Sequence, residues 1–454
     1  MFYSFGYKYS IEEKKAIQTG AIIIKTDPEK TDIYKNDLLY KNNKTIVNLF
    51  SDFVKIDNLK IGEYNIKVKK EEYFDWEKNI NVKGGTVTEL KNIVLLKKSY
   101  NKNIILSKMG INPSENNIWA NDKKDKIAYK KESEKMLSLA IFNLNKNEEK
   151  LIANFNKAPF NQMQKGYCLD DVIFSEDDTK VILKIVTENK NIWYLIDMNN
   201  KNRIYDLTVI LNGNEEIKNR WNFFFGKSLF YIKNDILYKF DYSEMYSKKI
   251  LENVSSFLVQ NDHVYFFNLD DSELYSSDIN NLSDTRSIIA MPEDFDSKLL
   301  AKITKTGRNT YLILSSSGKL YFINDRNEVN LINSSVKKAN FSNNGKRIVY
   351  SNDHEIWIYY IKEKISQPTK KELTNELITR FSGNISSIFL YKDEEHLFYK
   401  EGGVFKFLEL DDRDKRNIFE IMKIDNDNIY YSRDNNSLYY IKNNRLTQID
   451  LDEE

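Results

Sequence analysis

The sequence contains one cysteine, Cys168, among 454 residues. A single cysteine excludes an intrachain disulfide and any zinc or iron–sulfur site built from several thiolates. Glycine and proline are also scarce, at 15 and 5 residues, so turns must be built chiefly by asparagine and aspartate. Both tolerate a positive φ and hydrogen-bond their own backbone. No run of about 18 apolar residues is present, which excludes a transmembrane helix from residues 1–454.

An excess of charge of one sign is missing too. Lys and Arg number 68 and Asp and Glu number 67, mixed along the whole length, for a net charge of +1. A nucleic-acid-binding protein normally carries a basic surplus or a basic stripe, so we expect no nucleic-acid partner.

Motifs of common active sites are absent as well. There is no Walker loop, no strand–Gly-x-Gly-x-x-Gly–helix unit, no His-Glu-x-x-His and no Gly-x-Ser-x-Gly. The three histidines are His263, His354 and His396. On the repeat interpretation given below, they fall in turns on opposite faces, where one metal ion cannot reach all of them. The sequence therefore predicts no catalytic residue, no cofactor and no metal.

Aromatic residues are abundant, with 29 Tyr and 26 Phe, and large flat side chains favour strands. Near the N-terminal end, Tyr64, Ile66 and Val68 alternate with polar residues, as do Ile80 and Val82. This period of two is typical of strands with one face on a core and one in water. We therefore predict a small β-sandwich over residues 20–98.

The same stretch resembles the PEGA domain. Residues 21–26 form the expected first strand, and residues 28–31 (Pro-Glu-Lys-Thr) stand where the family has Pro-Glu-Gly-Ala, so its glycine and alanine are replaced. Residues 59–64 (Leu-Lys-Ile-Gly-Glu-Tyr) are similar to the family's Leu-x-x-Gly-x-Tyr, and Glu72-Tyr73 stands in place of Gly-Tyr. PEGA domains are non-catalytic sandwich modules of bacterial and archaeal surface proteins, which implies an extracytoplasmic location in the cell envelope.

Residues 1–19 are interpreted as a juxtamembrane-like lead segment. Family members with a propeller commonly place a membrane helix just before a Gly-Tyr segment like Gly6-Tyr7. The resemblance thus implies an N-terminal membrane anchor upstream of this chain, and contact with a membrane only through that anchor. The alternative is that Met1 is the native start and the protein is soluble.

After the sandwich, a two-residue step of an aliphatic followed by a ring recurs about every 43 residues, the spacing of four-stranded propeller blades. A second strand and a short polar turn precede each step, as in a series of hairpins. We predict an all-β chain with eight blades, or alternatively seven, in which these residues pack between neighbouring blades. The steps, including two weaker copies, are Leu139-Ala140, Ile192-Trp193, Ile236-Leu237, Leu274-Tyr275, Leu320-Tyr321, Ile356-Trp357, Val404-Phe405 and Leu438-Tyr439.

Two turns support the same fold. Residues 341–347 (Phe-Ser-Asn-Asn-Gly-Lys-Arg) resemble the Phe-Ser-x-Asp-Gly-Lys turn of WD40-like and TolB-like blades, and residues 174–180 are a second copy with Asp178 in the glycine position. The predicted domains are the lead segment 1–19, the PEGA-like sandwich 20–98, a linker 99–112 with a candidate ring-closing strand at 103–107, and the propeller 113–454.

Acidic residues gather in the predicted turns between second and third strands, where they would form one rim. Carboxylates there suit Ca²⁺ or an amino sugar, although Asp and Asn also simply build such turns. The acids are Glu188, Asp235, Asp270, Asp271, Asp353, Glu401 and Asp434. Our candidates for a ligand-facing rim are Asp271, Asp353, His354 and Asp434.

These observations favour a non-catalytic cell-envelope binding or scaffold protein that presents a propeller to an unknown protein or carbohydrate. One alternative is a propeller hydrolase or lyase using the acidic channel mouth, which requires a convergent acid–base pair or a metal. A second alternative is a soluble periplasmic TolB-like assembly factor, which the upstream coding sequence would distinguish by its lack of an anchor.

Overall fold

In the part of the chain that the structure describes, the elements are β-strands with one short α-helix, α1 (Leu207–Ile210), and a 3-10 turn at Leu282–Asp284. It forms two compact units. The first comprises Met1–Lys102, Asp353–Asp425 and Ile449–Glu454, and the second comprises Asn103–Asn352 and Asn426–Gln448. Met1, Gly6 and Glu188 lie outside the described residues. The computed structural model describes residues 7–10, 14–41, 53–107, 118–121, 125–133, 136–155, 168–175, 177–187, 191–200, 203–211, 217–224, 228–307, 309–424, 429–443 and 445–452.

The first unit begins with two four-stranded sheets. In one, β2 pairs antiparallel with β1 and β5 and parallel with β8, and the other has the order β4-β3-β6-β7. Because β2 begins at Lys15 and pairs with β1, this sheet extends into the segment predicted as a lead. The strands are β1 (Tyr7–Ser10), β2 (Lys15–Asp27), β3 (Asp32–Lys35), β4 (Leu38–Lys41), β5 (Val54–Lys60), β6 (Gly62–Lys69), β7 (Trp76–Val82) and β8 (Val87–Val94).

One apolar cluster joins both sheets into a sandwich. Ile22 and Ile24 of β2 meet Ile66 and Val68 of β6, and Trp76 of β7 closes the cluster; all are almost fully buried. The alternation predicted for β6 is therefore confirmed, since its apolar residues face inward while Lys67 and Lys69 face outward. Period two is enough to define this core, because each strand has a single buried face.

The first unit also contains the antiparallel pair β32–β33 and the complete sheet β34-β35-β36-β37. Its strands are consecutive and antiparallel; short turns join β34 to β35 and β35 to β36, and the loop of residues 410–417 joins β36 to β37. They are β32 (Glu355–Tyr360), β33 (Thr374–Arg380), β34 (Ile385–Leu390), β35 (His396–Glu401), β36 (Val404–Glu409) and β37 (Ile418–Lys423).

The second unit contains five complete four-stranded antiparallel sheets and the pair β30–β31. The sheets are β10 (Ile118–Ala120), β11 (Lys126–Ser133), β12 (Met136–Asn143) and β13 (Glu148–Asn154); β14 (Cys168–Phe174), β15 (Lys180–Val186), β16 (Asn191–Asp197) and β17 (Arg203–Asp206); β18 (Ile217–Phe224), β19 (Ser228–Lys233), β20 (Ile236–Asp241) and β21 (Tyr246–Leu251); β22 (Val254–Gln260), β23 (His263–Asn268), β24 (Glu273–Asp278) and β25 (Arg286–Ala290); and β26 (Ala301–Thr306), β27 (Thr310–Ser315), β28 (Leu320–Ile323) and β29 (Val329–Asn333). The pair is β30 (Lys338–Phe341) and β31 (Arg347–Ser351).

The last sheet has the order β38-β39-β40-β9. Its strands are β38 (Ile429–Ser432), β39 (Ser437–Lys442), β40 (Arg445–Asp450) and β9 (Asn103–Ser107). The segment predicted as a ring-closing strand thus pairs with β40. Along the described chain, β9 and β10–β40 make eight groups of four antiparallel strands, which is the arrangement of a β-propeller with eight blades.

The aliphatic-plus-ring steps lie on inner strands, where they are paired on both sides. Ile192 packs with Leu139 and Ile141 of the preceding sheet, whereas its neighbour Trp193 packs with Leu229 of the following sheet. Successive strand residues point to opposite faces, so each step touches two sheets. Packing between neighbouring sheets is therefore sufficient to explain these residues.

The last sheet departs from the predicted strand assignment. The repeat pattern predicted that Leu438-Tyr439, like the other steps, lies in a third strand that follows a second strand and a short polar turn. First strands of neighbouring sheets contact each other, as β18 does β22 and β22 does β26, and β38 contacts β10 in the same way. β38 is therefore a first strand and β39 a second, because β9 fills the fourth place of this sheet.

Candidate functional site

Asp271 lies in the turn between β23 and β24, the second and third strands of their sheet. One of its carboxylate oxygens accepts the backbone N–H of Glu273 at 3.0 Å, and the other accepts the hydroxyl of Tyr275 at 2.9 Å. Burial, together with Asp271, raises the pKa of Tyr275 to about 12. Since both oxygens have intrachain donors, Asp271 builds its turn and leaves only part of its surface for a ligand.

Asp434 is exposed, but it lies in a different kind of turn from the one predicted. Its turn joins β38 to β39, the first and second strands of the last sheet. Turns after a first and after a second strand fall at opposite ends of a sheet, so the strand order gives Asp434 and Asp271 no shared rim. The turn itself is built by Asn436, which has a φ of 43° and accepts the Tyr431 hydroxyl at 2.8 Å.

Asp353 and His354 are brought together in the turn before β32. The Asp353 carbonyl accepts the N–H of Ile385 at 2.6 Å, and the His354 carbonyl accepts the N–H of Phe381 at 2.8 Å. The exposed His354 ring lies 3.4 Å from the carbonyl of Gly383, measured from Nδ1. This turn therefore holds the chain that leads into β34, while the imidazole remains open to solvent.

Aromatic and charged side chains surround this turn. Phe381 stacks on the buried ring of Tyr399 with 5.3 Å between centroids, and Trp357 Nε1 donates to Glu355 at 3.0 Å. Arg380 donates to the other oxygen of Glu355 at 2.6 Å. Half-buried rings beside charged groups suit recognition of polar ligands. Among the predicted rim positions, the turn of Asp353 and His354 therefore has the side chains best suited to bind a ligand.

The acid–base pair that sequence reasoning missed is Asp393 and His396. His396 Nδ1 lies 2.7 Å from Asp393 Oδ2, and its ring stacks on Phe407 at 4.8 Å. Burial lowers the pKa of His396, but Asp393, Glu409 and Glu395 raise it more, so the net shift is upward. Burial raises the pKa of Asp393, but the charge and hydrogen bond of the His396 ring and the backbone N–H groups of Glu395 and His396 together lower it more. Both shifts favour the charged form of the pair, an imidazolium facing a carboxylate.

Accessibility decides what this pair can do. A general acid or base must come within hydrogen-bond reach of its substrate, whereas the His396 side chain is only 2% exposed. In the sequence, the pair shows only as an aspartate three residues before a histidine in a turn. The same spacing occurs in turns that have no role except to begin a strand, so it does not identify an acid–base pair. We conclude that the pair stabilises the start of β35.

No group of three or more His, Cys, Asp or Glu residues is placed to hold a metal ion within the part of the chain that the structure describes. In the same part, no helix is long and apolar enough to cross a membrane.

No protein-family model and no curated protein matches the sequence. Similar solved structures include the Dos1 propeller, at 12% identity over 76% of this chain and 94% of that chain, with a TM-score of 0.47. Hsv2 of Kluyveromyces lactis is 11% identical over 71% and 95%, with a TM-score of 0.40. A prolyl endopeptidase is 11% identical over 74% and 54%, with a TM-score of 0.42. At these scores the matches do not inform function, and the fold assignment rests on the strand pairing above.

Proposed function

We propose that the protein is a non-catalytic binding or scaffold protein of the cell envelope, which presents propeller turns for recognition of a protein or carbohydrate. The observation that carries the proposal is the contrast between enclosed and open titratable groups. In the pair most like catalytic machinery, His396 is buried and its charge is compensated by Asp393. The open groups, such as His354 and Asp434, sit on turns that the backbone already fixes.

The envelope location rests on a separate argument. The N-terminal sheets form a small sandwich, as the PEGA resemblance implies, and PEGA modules are parts of surface proteins. A membrane anchor would precede this chain. The sandwich would then stand between the anchor and the propeller.

Binding measurements on rim variants test the proposal. Asp271→Ala, Asp353→Ala, His354→Ala and Asp434→Ala are to be compared with the wild type on a glycan array and against purified envelope proteins. We expect one ligand class to bind the wild type, and at least one variant to bind it about tenfold more weakly, equivalent to about 1.4 kcal/mol. Thermal stability of the exposed Asp434 variant should stay within about 0.5 kcal/mol.

Asp57→Ala is the control, because Asp57 is an exposed acid of the sandwich whose ion pair with Lys55, at 2.8 Å, is open to solvent, and it should leave binding unchanged. Wild-type affinity in all four rim variants, or no binding to either class, contradicts the proposal. Turnover of an oligosaccharide that a rim variant abolishes would instead favour the hydrolase or lyase.

A further inference from the structure

Lys78 is a fully buried lysine on an edge strand. Its side chain is 0% exposed, on the same face of β7 as Trp76. The ammonium donates to the Asp411 carbonyl at 2.6 Å and lies 3.4 Å from Glu409 Oε2 and 3.7 Å from Asp411 Oδ1. A buried ammonium is tolerated only when counter-charges and hydrogen bonds replace its water, and here both come from the end of β36 and the loop that follows it.

Glu409 is equally enclosed, at 3% exposure. It accepts Trp76 Nε1 at 3.1 Å on one oxygen and Asn417 Nδ2 at 2.9 Å on the other. The carboxylate therefore joins β7 of the sandwich to both ends of the β36–β37 connection. Asp411 is held from its other side by Arg413.

Side chains around this contact hydrogen-bond the backbone of the sandwich's edge strands. The backbone N–H of Asn79 donates to Asp414 at 2.9 Å. The Gln367 amide accepts the N–H of Glu89 and donates to the carbonyl of Val87, both at 3.0 Å, as a neighbouring strand would. Unpaired strand edges attract other chains, so these side chains shield the edges of β7 and β8 while the contact persists.

We propose that four side chains form an acid-releasable latch, which fastens the sandwich edge to the sheet β34–β37 and opens when Asp411 loses its charge. The latch residues are Trp76, Lys78, Glu409 and Asp411. Further charged and titratable groups that face the latch from its loop, from β35 and from the adjoining loops are Arg413, Asp414, His396, Asp393, Glu395 and Lys364.

The direction of the pH dependence follows from Asp411. Burial raises the pKa of Asp411, and Arg413 and Lys78 lower it more, so the net value lies below the ordinary 3.8. A carboxyl group with a depressed pKa stabilises the folded contact above its ordinary pKa and loses that contribution as the pH falls through the depressed value. The pKa of His396 is shifted upward, so protonation of Asp411, and not of His396, opens the latch as the pH falls through this range.

Fluorescence of Trp76 reports the latch in the full-length chain. Subtracting the spectrum of Trp76→Phe isolates Trp76 from the other four tryptophans, and acrylamide quenching measures its accessibility from pH 7 to pH 3. We expect quenching of Trp76 to rise several-fold on acidification, at a higher pH than the loss of far-UV circular dichroism. A single transition shared by both signals overturns the proposal.

Lys78→Met is the decisive variant, because it leaves Glu409 buried without its cation. An uncompensated buried carboxylate favours its protonated form, so the pH dependence should reverse: quenching is high at pH 7 and falls towards pH 5. The matched double variant Lys78→Met/Glu409→Gln removes both charges and keeps an acceptor for Trp76. In the double variant, Trp76 should be protected from acrylamide, and its quenching should not change between pH 7 and pH 5.

Lys91→Met, an exposed lysine of the same sandwich, is the control and should keep the wild-type profile. A wild-type profile in Lys78→Met, or a double variant that still responds to pH, contradicts the latch. The double variant also covers the case in which Lys78→Met alone fails to fold.

Discussion

Replacing Trp76 by alanine is expected to lower the free energy of unfolding by about 3–5 kcal/mol. Trp76 is 1% exposed and belongs to the cluster that joins both sheets of the sandwich. The truncation removes that packing, leaves a cavity, and takes away the donor that Glu409 uses on one oxygen. Urea unfolding followed by far-UV circular dichroism measures the effect on the first unfolding transition.

Trp76→Phe separates the two contributions. Phenylalanine fills most of the volume but cannot donate to Glu409, so a loss of about 1–3 kcal/mol is expected for the unsatisfied buried acceptor. A loss under about 1 kcal/mol for Trp76→Ala would mean that Trp76 is not part of a packed core, contrary to this account.

Asp393→Asn is expected to cost about 2–3 kcal/mol near pH 5.5. Removing one partner of a buried ion pair costs about 3–5 kcal/mol, and the partial exposure of Asp393, 25% for its side chain, reduces that figure. Asparagine keeps the shape and an acceptor for the backbone N–H groups of Glu395 and His396. The loss therefore reports chiefly the missing charge.

The pH profile of this loss follows from the two pKa shifts. The pKa of His396 is raised, so its contribution is complete below its ordinary value of 6.5 and disappears as the pH rises through the raised value. The pKa of Asp393 is lowered, so its contribution is present above 3.8 and disappears as the pH falls through the lowered value. The difference between wild type and Asp393→Asn should be largest between these two ordinary values.

His396→Gln is the matched variant for a double-mutant cycle. If the two residues act as a pair, the double variant should lose much less than the sum of the single variants. A difference that stays constant from pH 4 to pH 9 would show that the pair carries no charge and would contradict the assignment.

Local sequence patterns were sufficient for most of the fold. Alternation around Ile66 and Val68 identified a strand with one buried face, and the step Ile192-Trp193 identified strands packed between two sheets. These features depend on residues within one strand or one hairpin. A period of two and a repeat near 43 residues therefore express them directly.

The remaining features depend on pairing over long distances. Lys78 lies in the inward phase of β7 with Trp76 and Ile80, so its position in the strand puts a charge where an apolar residue is expected. The groups that compensate this charge come from a loop 333 residues away in sequence. Likewise, β9 is the fourth strand of the last sheet. Leu438-Tyr439 therefore lies in a second strand and not in the predicted third, and Asp434 lies in the turn after a first strand. No local pattern records which distant strand completes a sheet.

The candidate site was predictable only in part. The rim candidates Asp271, Asp353, His354 and Asp434 lie in turns, since Asp and Asn build turns, but the turn of Asp434 is not the one predicted, and His263 and His396 lie at the starts of β23 and β35. Sequence alone did not separate Asp271, whose two oxygens accept from Glu273 and Tyr275, from His354, whose side chain is exposed. That difference is set by where neighbouring donors fall in three dimensions.

The most direct test of the proposed role is protease treatment of intact cells that express the full-length protein. If the propeller is displayed at the cell surface, proteinase K added outside should remove it while a cytoplasmic marker stays intact. Full protection of the propeller until the cells are lysed would contradict the surface location, and with it the role as an envelope binding or scaffold protein.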